Sequence, residues 1–399
     1  MKNKKSTIAL ALASKVFAFF LALSGDANAF DYSVHSLPLS LLSKYSSLNA
    51  FPSVVSAAPN GNLLVQFEYI LKGGNPRFSL YITDPTGSSV ISQIPIPSDI
   101  NVLSYRRFYL NDSNHVIGHY QTGVSFSETN GSEIGQPVDN NFYYHDGIIE
   151  KLNVPEGYTI SNFNNLDQVL GYYTPPPGSC GTHPGGYNLV GQRIFLLSKG
   201  VVTQIPTKAP CRNDVIPLGL NNNGIVAGVY NISSNASARA FFFDGTTVTK
   251  QLVSVPGQVT ADDFGQTRNL LADDGSLAIP YRRVDRNSHP YQFCLTITGS
   301  RKCIDSPIPL VDDAWPRFVA NGGKTIGSWQ TSGDNLTGSS PMGWFIINGS
   351  DAQVVDTSSE NSTSGPTYPM VRPSIMTTSG TIVGEVLLSI KDIELLVGK

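Results

Sequence analysis

The chain has 399 residues, of which 27 are basic, 30 acidic and only 14% charged in all. A net charge of −3 without a basic run argues against nucleic acid or anionic lipid as a partner. Gly (37), Pro (26), Tyr (17) and Phe (19) are plentiful, a balance that suits short strands joined by turns.

The first element is a leader. Lys2, Lys4 and Lys5 precede an unbroken apolar run from Val16 to Leu23, and Ala27-Asn28-Ala29 forms a small-x-small cleavage site. Residues 1–29 therefore read as a secretory signal peptide cut before Phe30. Lys15 limits the apolar core to eight residues. A bilayer span needs about 20, so cleavage is preferred over a retained anchor. The expected product is a secreted or periplasmic monomer, residues 30–399, with no membrane association after cleavage. It carries 23 basic and 29 acidic groups, a net charge of −6.

The chain then repeats itself. A polar turn, two or three apolar residues and a Gly recur in "APNGNLLVQF" (58–67), "LNDSNHVIGHY" (110–120), "FNNLDQVLGYY" (163–173) and "LNNNGIVAGVY" (220–230). They recur again in "LADDGSLAIPY" (271–281), "VANGGKTIGSW" (319–329) and "MTTSGTIVGEV" (376–386). The Gly slot holds Val65, Gly118, Gly171, Gly228, Ile279, Gly327 and Gly384, at spacings of 53, 53, 57, 51, 48 and 57 residues. Strand-rich units of this period point to propeller blades.

Each unit continues with a variable loop, an aromatic strand, a tight turn and a β-rich strand. Examples are "NFYYH-DG-IIEKLNV" (141–154) and "RAFFF-DG-TTVTKQLVSV" (239–255). Asp-Gly between β-rich runs signals a hairpin, because both central residues need positive φ. Four strands per unit follow, A to D, with the repeat turn between A and B. No stretch beyond the leader shows convincing helical periodicity. The seventh unit ends at "IELLVGK" without a strand D, whereas "DYSVHSLPL" (31–39) resembles the D strands "EKLNVP" and "TQIPT". The expected fold is an all-β, seven-bladed β-propeller in which the N-terminal strand completes the last blade and leaves no open edge. An open β-solenoid would need capping ends that the sequence lacks.

"LNNNGIVAGVYNISSNASARAFFFDGTTVTKQL" (220–252) also resembles the bacterial extracellular HAF repeats, whose pattern runs roughly N-x-x-G-x-V-x-G…A-F-x-W/Y-x-x-G. The match is best over units two to four and recognisable in six. It implies a secreted propeller-like fold and brings no reaction or catalytic residues. Unit five departs with Ile279-Pro280, so its second strand is expected to be irregular or at an edge.

Four cysteines in an exported chain imply two disulfides. "QFCLTITGSRKCID" reads as a C–D hairpin turning at Thr298-Gly299, which sets Cys294 opposite Cys303. Cys180, in the long B–C loop of unit three, then pairs with Cys211 in the following D–A loop. Those two loops emerge on the same face of a four-stranded blade. No C-x-x-C spacing supports a metal site.

Chemical motifs are sparse. G-x-S-x-G, H-E-x-x-H and Walker A patterns are absent, and no cofactor is expected. His115 and His119 lie about 13 Å apart on a strand, too far to share one ion. Asp112, Asp273 and Asp274 invite a calcium reading, but Asn and Asp suit such turns by capping N–H groups and tolerating the left-handed conformation.

The face carrying the B–C and D–A loops should present Tyr120, Tyr173, His183, Tyr187, Arg282, Arg283, Arg286, His289, Trp315 and Trp329. Asp262, Asp263, Asp285, Asp312 and Asp313 should join them. Aromatic rings with arginines and acids suit recognition of a glycan or a protein. The preferred reading is a non-catalytic secreted binding module. The alternative is a glycan-active hydrolase or lyase using the paired aspartates and His289 as acid and base.

Overall fold

The computed structural model describes Tyr32 to Gly398 apart from 36, 47, 49, 71–75, 97–106, 123–124, 127–132, 135–137, 156, 177–178, 180–190, 208–213, 231–237, 256–268, 283–290, 298–299, 306–312, 331–341, 350, 356–369 and 390–391. The leader lies outside the described residues.

Strand β1 (Tyr32–His35) and helix α1 (Leu39–Ser46) come first. The first sheet is β2 (Phe51–Ala57), β3 (Leu63–Ile70), β4 (Pro76–Thr83) and β5 (Val90–Ile94). The second contains β6 (Arg107–Leu110) and β7 (Val116–Thr122), then β10 (Val138–His145) and β11 (Ile148–Lys151). A small ribbon, β8 (Ser125–Phe126) with β9 (Glu133–Ile134), interrupts it. The third is β12 (Tyr158–Phe163), β13 (Val169–Tyr173), β14 (Arg193–Ser198) and β15 (Val201–Gln204). The fourth is β16 (Val215–Leu220), β17 (Val226–Tyr230), β18 (Ala238–Phe243) and β19 (Val248–Val255). The fifth has three strands, β20 (Leu277–Arg282), β21 (Tyr291–Ile297) and β22 (Ser300–Asp305). The sixth is β23 (Asp313–Val319), β24 (Thr325–Gln330), β25 (Met342–Asn348) and β26 (Asp351–Val355). The last is β27 (Met370–Met376), β28 (Ile382–Ser389) and β29 (Asp392–Gly398), with β1 antiparallel to β29.

Five sheets are thus four-stranded meanders drawn from one continuous stretch of chain, and two depart from that plan. The last takes its outer strand from the N-terminus, over four residues rather than the nine expected. Among the described residues the fifth has isolated bridges, at Asn269 and Leu271, in place of an inner strand. Pro280 lies in β20, now an edge, where a missing N–H is tolerated. Helix α1 also corrects the reading of an all-strand chain. Its eight residues are too short to show a period, and Leu41 and Tyr45, one turn apart, are its buried anchors. The Tyr45 ring stacks on Phe67 at 4.6 Å.

One conformational demand explains the repeat turn. Its fourth residue has positive φ in every unit: Gly61, Asn114, Asp167, Gly224, Gly275, Gly323 and Gly380. Only Gly, Asn and Asp adopt that conformation readily. The Asp146-Gly147 and Lys199-Gly200 hairpin turns likewise have positive φ at both central residues.

A second demand explains the Gly of the repeat. In the second, third, fourth and sixth sheets, Gly118, Gly171, Gly228 and Gly327 pair with Phe142, Phe195, Phe241 and Phe345 on the next strand. Each ring lies across its glycine. A Cβ there would come within 2.0 to 2.5 Å of ring carbons. The other three slots differ: Ile279 faces Cys294, Val65 faces Tyr81 and Gly384 faces Leu396.

The innermost strands of five sheets share a bulge, opposite the segment around this Gly slot, at Val55, Ser161, Leu218, Arg317 and Ser374. A bulge frees backbone groups from the ladder. The carbonyls of Leu218 and Arg317 use that freedom to accept the N–H of Leu270 and Asn269. The core fills the spaces between neighbouring sheets. Leu64 and Leu80 meet Phe108 and Phe142, and Leu170 and Ile194 meet Val226 and Phe241. Ala227 and Ile216 meet Leu277, Ile279, Val319 and Phe345.

Candidate functional site

At one end of the sheets the repeat turns are stitched side to side. The first turn residue works in two directions. Asn164 Oδ1 accepts the N–H of Leu166 and Gln168 within its own turn, while Nδ2 donates to the Asn221 carbonyl of the next. Asn111 and Asn221 repeat the arrangement toward Asn164 and Ala272. The second turn residues extend it: the N–H groups of Asp112, Asn165 and Asn222 donate to Asn165 Oδ1, Asn222 Oδ1 and Asp273 Oδ1, at 2.8 to 2.9 Å.

The carboxylates considered for calcium have this structural work. Asp112 accepts from Asn60 N and Asn165 Nδ2, and Asp274 from Gly322 N and Ser276 N. Burial acts to raise the Asp274 carboxyl, but those backbone donors outweigh it and hold the group below its ordinary range. Among the described residues no group of three or more His, Cys, Asp or Glu is placed to hold a metal ion.

His115 and His119 have separate partners. His115 Nδ1 lies 2.9 Å from Asp167 Oδ1 and 3.0 Å from the Tyr143 hydroxyl. His119 is buried against Asn141 Oδ1. Burial first, then the Asp167, Asp146 and Glu150 charges, push the Tyr143 phenol up to about 12.

A cavity open to solvent is lined by residues of every repeat unit, among them Ser56, Phe108, Asn162, Leu220, Asn269, Phe318 and Ile375.

The opposite end carries the B–C and D–A connections. Here His183, Tyr187, Arg283, Arg286, His289, Asp262, Asp263, Asp285, Asp312, Cys180 and Cys211 lie outside the described residues. Arg282 and Asp313 fall in β20 and β23, with side chains also outside them. Cys294 is directly opposite Cys303 in the β21–β22 register, as expected, and the sulfurs are not described.

Four expected residues can be placed. Tyr120 packs against the core between the first two sheets, 6.0 Å from the Phe142 ring. Tyr173 is half-buried and stacks on Tyr158 at 4.2 Å with a 4° tilt. Burial, then the neighbouring Tyr158 hydroxyl, raise its phenol, opposed by the Arg193 charge. Trp329 packs against the core between the fourth, fifth and sixth sheets and fills the space above Gly343. Trp315 lies half-buried on the other face of the sixth sheet, its ring centroid 5.6 Å from the Arg317 guanidinium carbon. The four are spread over the second, third and sixth sheets rather than gathered on one.

Sequence reasoning missed Tyr158, Arg193 and Arg317. Pairing strand A of each unit with its own strand B would have set Tyr158 beside Tyr173. Aligning the seven A strands would have exposed Arg317 as a charge where sister strands hold Val55, Ser161, Leu218 and Ser374.

The fold and its repeat turns define the class: an all-β chain, a β-propeller of four-stranded blades. No protein-family model matches the chain, and no curated protein does. Solved structures are similar in fold at low identity. The β-propeller domain of the Trilobed protease from Pyrococcus furiosus is 8% identical with a TM-score of 0.49, over 88% of this chain and 93% of that one. An oligogalacturonate lyase in complex with manganese is 12% identical with a TM-score of 0.41, over 93% and 96%. A mutant of the Aleuria aurantia lectin in complex with α-methyl-L-fucoside is 10% identical with a TM-score of 0.35, over 77% and 95%.

Proposed function

We propose that this chain is a secreted, non-catalytic binding module of the HAF-repeat kind that recognises a glycan or a protein through its B–C and D–A face. In this reading the seven sheets form a closed ring, sealed by β1 on β29. Contacts of β2 with both β6 and β27, and the cavity lined from all seven units, support that closure. One observation carries the functional reading. At the loop end, flat side chains are held in place by the sheets themselves, as in the half-buried Tyr158–Tyr173 stack and the Trp315–Arg317 pair. Rigid rings offer contact area at little cost in side-chain entropy, which suits recognition.

The test is a glycan array with the exported protein, followed by a turnover assay on each glycan retained. Binding without product, weakened at least tenfold by Tyr173→Ala, is expected. Formation of product would replace this reading with an enzyme. N-terminal sequencing of the exported chain should begin at Phe30; a start at Met1 in a membrane fraction would make Lys15 part of an anchor.

A further inference from the structure

His115 and His119 cannot share an ion along one strand, but the ladder gives His115 a different neighbour. Val116 in β7 faces Tyr144 in β10, so His115, one residue earlier, comes beside His145, one residue later. Their ring centroids lie 5.9 Å apart. Two imidazoles that each give one nitrogen to an ion, through bonds of about 2.0–2.1 Å, have centroids about 5–6 Å apart.

The two rings are held and oriented. Tyr143 stacks on His145 at 4.7 Å and meets His115 edge-on at 5.6 Å. His115 Nδ1 lies 2.9 Å from Asp167 Oδ1, and His145 Nδ1 lies 3.5 Å from Asp146 Oδ2. An ionised carboxylate only accepts, so in the neutral rings each Nδ1 carries the proton and each Nε2 keeps its lone pair. The Tyr143 hydroxyl, 3.0 Å from His115 Nδ1, turns its own proton to Asp167. Neither Nε2 makes a hydrogen bond among the described residues, and Glu150 Oε2 stands 3.6 Å from that of His145. An imidazole that donates one N–H to a carboxylate and presents its other nitrogen has the outer-shell support of a metal ligand. The side chains of His115 and His145 are 19% and 24% exposed, so an ion can reach them from solvent.

We propose that His115 and His145 form a two-imidazole chelate for a divalent transition-metal ion, at the repeat-turn end of the molecule. No group of three or more His, Cys, Asp or Glu among the described residues is placed to hold an ion, so the chelate has two protein ligands and water fills its remaining positions. The exposed Glu150 carboxylate is beside those positions and accepts hydrogen bonds from that water. Imidazole without thiolate favours Cu²⁺ over Ni²⁺ and Zn²⁺, and does not suit Ca²⁺, which takes oxygen ligands. Asp167 lies in the turn between β12 and β13, so an ion on His115 is tied to the third sheet as well as to the second. Asp167 is a positioning residue and does not touch the ion.

The exported protein would be titrated with CuCl₂ alone by calorimetry. One saturable Cu²⁺ per chain is expected. His115→Gln and His145→Gln should each lose at least tenfold in affinity, and Asp167→Asn several-fold. Zn²⁺ should raise the Tm of the parent protein and of neither Gln variant, whereas Ca²⁺ should leave all three unchanged. Copper-catalysed oxidation with ascorbate, mapped by mass spectrometry, should mark the peptides that contain His115 and His145. That map is read on the parent protein, so it decides the matter even where a variant folds poorly.

An affinity unchanged in either Gln variant, oxidation confined to the peptides of other histidines, or no saturable Cu²⁺ binding overturns the proposal. The site is at the end opposite the B–C and D–A face, so either result leaves the binding-module reading standing.

Discussion

Adding one methyl group at Gly327 tests the packing rule that four of the sheets share. The new Cβ would lie 2.0 Å from Phe345 Cζ and 2.6 Å from Cε1 and Cε2. Ordinary carbon contacts begin near 3.4 Å, so the ring must retreat by about 1.5 Å. It has nowhere to go: Phe345 is 0% exposed and packs in the core cluster that also contains Val319, Leu277 and Ile279. Overpacking of this kind costs typically 1–3 kcal/mol, and displacement of a whole ring belongs at about 3. Alanine recovers roughly 0.5–1 kcal/mol of the backbone entropy that glycine loses in a strand. The net loss is therefore about 2 kcal/mol, or roughly 2–3 °C in Tm for a domain of this length.

Thermal melts followed by circular dichroism would read this directly. Phe345→Leu in the Gly327→Ala background should recover part of the loss, through a favourable coupling of about 1–2 kcal/mol between touching residues. A Gly327→Ala protein melting within a degree of the parent would refute the reasoning. So would a Phe345→Leu effect of equal size in both backgrounds.

Three further outcomes follow from the same geometry. Asn164→Ala leaves the Gln168 N–H and the buried Asn221 carbonyl without this partner and should cost about 1–3 kcal/mol in urea unfolding, whereas an exposed turn residue such as Ser113 should tolerate alanine within about 0.5. Folded Tyr143 holds its proton to about 12, above its unfolded value near 10. The stability this contributes is complete below pH 10 and disappears as pH rises toward 12, so Tyr143→Phe should flatten the alkaline loss; an unchanged slope would show that burial and Asp167 do not act on it. Non-reducing peptide mapping should link Cys294 to Cys303, which face each other across the β21–β22 ladder, and a Cys180–Cys303 peptide would break the assigned hairpin.

The repeat turn was legible in the sequence because a single residue type answers a single demand. Positive φ at the fourth position admits Gly, Asn or Asp, and those are the residues found. The bulge was not legible, since Val55, Ser161, Leu218, Arg317 and Ser374 share no chemistry; what recurs there is a backbone carbonyl, which every residue has. Helix α1 escaped for a different reason. Two anchors, Leu41 and Tyr45, make one turn of pattern, and the helix exists because the first sheet offers Phe67, Tyr69 and Tyr81 to dock on.

The fifth unit shows how far such reading extends. Taken one position at a time, Ile279 in a glycine slot is a defect in the repeat. Taken across the ladder it is half of an exchange, because the phenylalanine that would collide with a side chain there is replaced by the smaller Cys294. The exchange is not obligatory, since in the first sheet Val65 holds the glycine slot opposite an aromatic residue, Tyr81. Arg317 is the opposite case. It departs from the slot occupied by Val55, Ser161, Leu218 and Ser374, and its backbone carbonyl does the same work as that of Leu218. Ser328 and the Trp315 ring hold its guanidinium in one orientation, which the shared carbonyl contact does not require. The slot is thus defined by its backbone carbonyl, and the contacts with Ser328 and the Trp315 ring are what this one side chain adds to it.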